Sequence, residues 1–140
     1  MQILKLLTRN RIIGNYGEKA AVSYLKKNKF KILEQNYIAH NNEIDIIAKN
    51  KEFLVFVEVK TRTVGVNSKS DTTRPAAAVT AEKQRKIISA ARFYLACNPP
   101  EVHVRFDVIE VYLTDNKKIK RIHHIPSAFN ANTAYTKNQH

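Results

Sequence analysis

The sequence predicts a mixed α/β domain with a central mixed sheet flanked by helices, and three observations lead there. The chain has 140 residues and no internal repeat, a length that suits one domain with one core. Its hydrophobic period changes along the chain in the order helix, strands, helix, strands. The run Phe53-Leu54-Val55-Phe56-Val57 is apolar at every position, as a central strand covered on both faces requires.

In chain order, residues 14–28 form the first helix, since Glu18, Ala21, Val22 and Leu25 share one stripe at three- and four-residue spacings. Residues 30–37 read as a first strand. Residues 44–48 and 53–61 follow as two more, joined by the polar turn Lys49-Asn50-Lys51-Glu52. Between residues 62 and 75 Thr, Ser, Asn and Gly mix with Lys69 and Arg74 without a period, the pattern of a mobile basic loop. Thr80 is the N-cap expected for a second helix through about residue 96, with Gln84, Ile87, Ile88, Ala91 and Leu95 inward. Asn98, Pro99 and Pro100 end it, and strands at 102–112 and 119–125 complete the sheet. The expected organisation is a basic and apolar segment at 1–12, one domain at 13–129 and a frayed polar tail at 130–140.

Charge narrows the partners. Twenty-four Lys and Arg against 12 Asp and Glu leave a formal charge of +12, and a basic domain gains salt-sensitive affinity for nucleic acid by releasing condensed counterions. Cys97 is the single cysteine, which excludes an internal disulfide and points to a reducing, cytoplasmic setting. The first eleven residues are too interrupted for a signal sequence, and no apolar run suits a membrane. Three glycines build no phosphate-cradling loop, and no Gly-x-Ser-x-Gly elbow is present, so kinase and serine-hydrolase chemistry fall away.

The chemistry gathers where the central strand runs into Glu58 and Lys60. Burying either charge without a partner costs several kcal/mol or shifts its pKa, and alternation puts both on one face. Pairing Ala48 with Phe53 across the four-residue turn sets Asp45 opposite Phe56, diagonal to Glu58 on that same face and roughly 7–8 Å away. Asp45 and Glu58 would then share a divalent cation that prefers oxygen ligands, Mg²⁺ or alternatively Mn²⁺. Lys60 would orient water or stabilise developing charge during phosphodiester hydrolysis. The bland reading makes Glu58 and Lys60 an exposed strand-end pair and Asp45 a turn residue.

Asn42-Glu43-Ile44-Asp45 followed by Val57-Glu58-Val59-Lys60-Thr61-Arg62 resembles the D…(D/E)-x-K signature of restriction-endonuclease-like nucleases. Gly14-Asn15-Tyr16-Gly17-Glu18-Lys19-Ala20-Ala21, Tyr24-Leu25, Val79-Thr80 with Lys83-Gln84, Ala91 with Tyr94-Leu95, and Arg105-Phe106-Asp107-Val108 resemble the bacterial YraN family. The likeness spans about residues 10–129, with Asn42 where that family usually has Gly and Ile44 where the broader signature has Pro. It implies the restriction-endonuclease-like fold, a kinship with archaeal Holliday-junction resolvases and hence a branched or structured DNA substrate. By analogy with resolvases, which cut two strands symmetrically, it also implies a homodimer.

Resolvase-like nucleases bring a first-helix Glu to the metal, so the resemblance gives Glu18 a supporting role. The alternative is an edge Glu paired with a lysine. Gln84 either reaches the site or serves as a simple helix N-terminal residue. Arg62, Lys69, Arg74, Lys83, Arg85 and Lys86 are the candidates for tracking a phosphate backbone, and each is otherwise a solvated charge. Asp107 reads as the structural ion-pair partner of Arg105, and the adjacent His123 and His124 point to opposite faces. The expected function is a metal-dependent nuclease. Its rivals are a nucleic-acid-binding module on the same fold that cuts nothing and, least favoured, a module whose basic surface meets an acidic protein.

Overall fold

The computed structural model describes residues 2–64 and 79–131, with side chains from residue 8 onward. Helix α1 (Gln2–Lys27) starts well before the predicted residue 14. Gly14 is not a boundary: its missing Cβ faces open space, and a glycine within a helix costs only about 1 kcal/mol against alanine. Residues 2–12 are therefore the first turns of this same helix. At its end Lys29 adopts φ 69°, Phe30 N–H donates to the Leu25 carbonyl and Lys29 N–H to that of Lys26. This is a Schellman stop, and it buries Phe30 with Leu25.

Strands β1 (Lys31–Ala39) and β2 (Asn42–Lys49) form a hairpin around His40 and Asn41, both at positive φ as a type I′ turn demands. Asn42 pairs with Ala39 and opens β2. The left-handed work thus falls on its two predecessors, and no glycine is needed there. β3 (Phe53–Thr63) follows a turn closed by Asn50, whose Oδ1 accepts from the N–H groups of Glu52 (2.9 Å) and Phe53 (2.7 Å).

Helix α2 (Ala81–Cys97) starts where predicted, with Thr80 Oγ1 accepting from Lys83 N–H at 3.1 Å. It connects β3 to β4 (His103–Leu113), which runs parallel to β3. β5 (Ile119–Phe129) returns antiparallel and continues past the predicted end at residue 125. The prediction stopped short because Pro126 cannot donate to a ladder. On this edge strand the interruption is absorbed by a bulge with Ser127 at φ 51°.

The sheet order is β1-β2-β3-β4-β5, with only the β3–β4 pair parallel. Ala20, Ala21 and Leu25 of α1 pack on Ile46, Val55, Val57, Ile109 and Val111. On the other face Ile87, Ile88, Ala91 and Tyr94 of α2 pack on Ile47, Leu54, Phe56, Phe106 and Val108. The chain is thus a mixed α/β domain whose central sheet is flanked by helices, as predicted. None of its described helices is long and apolar enough to cross a membrane.

Candidate active site

Asp45, Glu58 and Lys60 do meet, by a register different from the predicted one. Ala48 pairs with Val55 rather than Phe53, because the turn includes Asn50 paired back to Phe53. A shift of two residues keeps side-chain parity, so Asp45 stays on the face of Glu58 and comes level with it. Pairing of β2 with β3 stops at Ile46 and Val57. Beyond that point Val59 N–H has no strand carbonyl to meet, and Asp45 Oδ2 accepts from it at 2.8 Å. Lys60 Nζ lies 3.8 Å from Glu58 Oε1, a loose ion pair.

Glu58 is only 7% exposed. Burial, reinforced by the charge of Asp45, pushes its carboxyl up to about 7 against the attraction of Lys83 and Lys60. Burial also raises Asp45, while the Val59 N–H and the charge of Lys83 hold it back. The hydrogen bond between the two carboxyls raises Glu58 and lowers Asp45, so the proton rests on Glu58. Glu18 is raised as well, by burial first and by Asp45 second. The Asn36 amide, with its nitrogen turned to the acids, donates to Glu18 Oε2 at 3.2 Å and Glu43 Oε1 at 3.1 Å. Three carboxyls with raised proton affinity around one gap between strands mark a place short of positive charge.

Glu18 comes close enough to feel the charge of Asp45 because α1 lies directly on β3. A Cβ on Gly17 would overlap Thr61 Oγ1 outright, so only glycine permits this approach next to Lys60. Gln84 is buried, and its Nε2 donates to the Val79 carbonyl at 2.9 Å while Oε1 has no partner among the described residues. It follows Lys83, whose charge acts on both carboxyls. Two carboxylates suit a hard cation that keeps most of its waters. Among the described residues no group of three or more His, Cys, Asp or Glu side chains forms a fuller metal cage.

The predicted backbone-tracking residues divide. Arg62 Nε pairs with Glu110 Oε2 at 3.3 Å. Lys86 pairs with Glu82 at 3.6 Å on the exposed side of α2, and Arg85 lines a shallow cavity with His40 and Arg92. Lys69 and Arg74 lie outside the described residues. An apolar cavity of about 400 Å³ between Ile12, Ile13 and Leu113 contains none of the carboxyls.

The predicted opposition of His123 and His124 holds: His123 Nδ1 meets Glu110 Oε1 at 3.3 Å, and His124 Nε2 meets Asp107 Oδ2 at 2.7 Å. Asp107 is also the predicted partner of Arg105, bound twice at 2.9 Å. What sequence reasoning missed is Glu110, 1% exposed on the core side of β4. The signal was available, because Glu110 shares strand parity with Phe106 and Val108.

Fold and site together define a class: a mixed α/β domain whose central strand carries a buried Glu58 and, two residues on, Lys60, with Asp45 of the neighbouring strand level with Glu58. Residues 17–111 match Uncharacterised protein family UPF0102. The chain is 45% identical over 121 residues to the UPF0102 protein TTE1452 of Caldanaerobacter subterraneus subsp. tengcongensis, covering 85% of this chain and 95% of that one. It is 46% identical over 121 residues to the UPF0102 protein CD630_12710 of Clostridioides difficile (strain 630), covering 86% and 98%. The chain belongs to the UPF0102 family.

Proposed function

We propose that this protein is a metal-dependent nuclease of the restriction-endonuclease-like kind, hydrolysing phosphodiester bonds in DNA, with branched or structured DNA of the resolvase type as its substrate. The observation that carries the reading is the carboxyl pair itself. Asp45 and Glu58 stand level where β2 and β3 part, with a proton affinity that only a cation or a proton relieves. Two such carboxylates ionised together repel and work against stability at neutral pH.

Asp45 and Glu58 would hold Mg²⁺ or Mn²⁺, with Glu18 supporting from α1. When bound, the cation supplies Lewis acidity toward a phosphoryl oxygen. Asp45 stays fixed by the Val59 N–H. Lys60, partly exposed beside Glu58, presents its ammonium to the attacking water or to the charge that develops on the phosphate. Gln84 Oε1, an acceptor without a partner among the described residues, suits a donor arriving with ligand or water. The excess of basic residues favours a polyanionic substrate, and symmetric cutting of a junction calls for a homodimer.

The test is cleavage of linear, flapped and four-way-junction DNA with Mg²⁺ or Mn²⁺ by wild type, Asp45→Asn and Lys60→Ala. Wild type should cut in a metal-dependent manner, with both variants at least about a hundredfold slower. Binding without cutting of any substrate would leave the chain a nucleic-acid-binding module.

A further inference from the structure

Beside the carboxyl pair, on the same sheet face, lies a second group of charges. Glu110 is opposite Lys60 in the β3–β4 ladder and opposite His123 in the β4–β5 ladder. With strands about 4.8 Å apart and alternate residues about 6.6 Å apart, its backbone stands about 8 Å from that of Glu58. Its buried carboxylate takes three donors: Arg62 Nε (3.3 Å), the Tyr112 hydroxyl (3.2 Å) and His123 Nδ1 (3.3 Å). The guanidinium of Arg121 covers the Tyr112 ring, 4.5 Å from its centre.

The other buried acid of β4 shows what a purely structural network looks like. Asp107, on the opposite face, is saturated by two nitrogens of Arg105, by His124 and by the N–H of Ser127. Glu110 instead engages one nitrogen each of Arg62 and His123. The Arg62 side chain is still 29% exposed and that of His123 54% exposed. One buried negative charge thus aims two cationic side chains outward, with Arg121 beside them, in excess of what its own neutralisation needs.

We propose that Arg62 and His123, oriented by Glu110, form with the neighbouring Arg121 a phosphate-binding track that lays the nucleic-acid backbone across β3–β5 next to Asp45 and Glu58. This track rests on the nucleic-acid reading above. Glu110 is a positioning residue. Arg62, held at Nε by Glu110, would turn its outer guanidinium edge to phosphate oxygens, Arg121 adds positive charge beside it, and His123 adds a charged donor when protonated at Nε2.

The test is fluorescence anisotropy of the full chain with a labelled short DNA duplex and its single strand, in EDTA, over a series of salt concentrations. Arg62→Gln and Arg121→Gln should each weaken binding about 3- to 10-fold and flatten the slope of log K against log salt by about 0.9. Glu110→Gln should weaken binding comparably, although it makes the protein more positive and general attraction would then tighten it. That opposition of sign separates positioning from bulk charge. Unchanged or tighter binding by a folded Glu110→Gln overturns the track, and so does an unchanged slope for Arg62→Gln. Should Glu110→Gln not fold, the two arginine slopes decide.

If wild type cuts DNA while these variants bind as it does, hydrolysis stands and the track falls. If the slopes shift as expected and nothing is cut, the track stands and hydrolysis falls. A wild type that binds no nucleic acid overturns both.

Discussion

Replacing Glu58 by glutamine isolates the electrostatic tension at the site. In the unfolded chain this carboxyl releases its proton near its ordinary 4.5, and in the folded protein only at about 7. The folded state therefore holds the extra proton between these values. Stability contributed by protonated Glu58 is present below about 4.5 and is lost as pH rises to about 7. A tenfold difference in proton affinity is about 1.4 kcal/mol, so the whole window corresponds to roughly 3 kcal/mol at pH 8, shared with Asp45.

Glutamine fills the same volume, stays neutral and can still donate to Asp45. In EDTA at pH 8 the Glu58→Gln protein should melt roughly 5–10 °C above wild type, given about 3 °C per kcal/mol for a domain of this size. The gap should close toward pH 4.5, and Mg²⁺ should raise wild type far more than the variant. Calorimetry across that pH range, with and without Mg²⁺, provides the reading. A variant that melts no higher than wild type at pH 8, or a gap that ignores pH, refutes the reasoning.

Other substitutions test how the site is held. Gly17→Ala forces α1 away from Thr61 and should cost about 1–3 kcal/mol in urea titration and, under the proposed function, slow any cleavage through the displacement of Glu18; an unchanged midpoint would mean that the close approach is dispensable. Asp107→Asn leaves Arg105 and His124 without their anion and should cost about 3–5 kcal/mol. Burial works against Asp107, but His124, Arg105 and Ser127 together hold its carboxyl below the usual range. Its stabilisation is thus present above the unfolded value and lost as pH falls through the folded one, so the variant's stability should fall less steeply below pH 4. Equal acid sensitivity of the two proteins would contradict this. Thr80→Ala removes the N-cap of α2 and should cost about 1 kcal/mol, checked by the same titration.

Much of this was legible because it depends on local periodicity. The inward stripe of α2, the Thr80 cap and the two-faced run of β3 follow from side-chain spacing alone, and they recur in the structure. The shared face of Asp45 and Glu58 was legible because parity survives a two-residue slip. The register itself was not, since it depends on the Asn50 side chain capping two N–H groups in the turn. The start of α1 was misplaced because an isolated Gly14 resembles a boundary but is merely tolerated. The inward position of Glu110 could have been read from its parity with Phe106 and Val108, but its partners could not, as only the neighbouring strands show that Arg62 and His123 converge on it from either side.

Asp45 brings the structural and chemical readings into direct competition, and the competition can be resolved. Its carboxylate serves the backbone by accepting from Val59 N–H at the point where the ladder ends, a role any acceptor of the same shape could fill. Asparagine can keep that hydrogen bond and removes the charge. Alanine removes both, and an unpaired N–H at a partly buried site costs about 1–3 kcal/mol. If Asp45 is only a strand cap, Asp45→Asn should leave Mg²⁺ stabilisation and activity unchanged while melting at or above wild type in EDTA, since relief of the repulsion with Glu58 needs no cation, and Asp45→Ala alone should suffer. If it holds a cation, Asp45→Asn should melt at or above wild type in EDTA, because repulsion with Glu58 is relieved. It should also lose the Mg²⁺-dependent rise in melting temperature together with cleavage. Stability unharmed while metal response disappears is a combination that a capping role cannot produce.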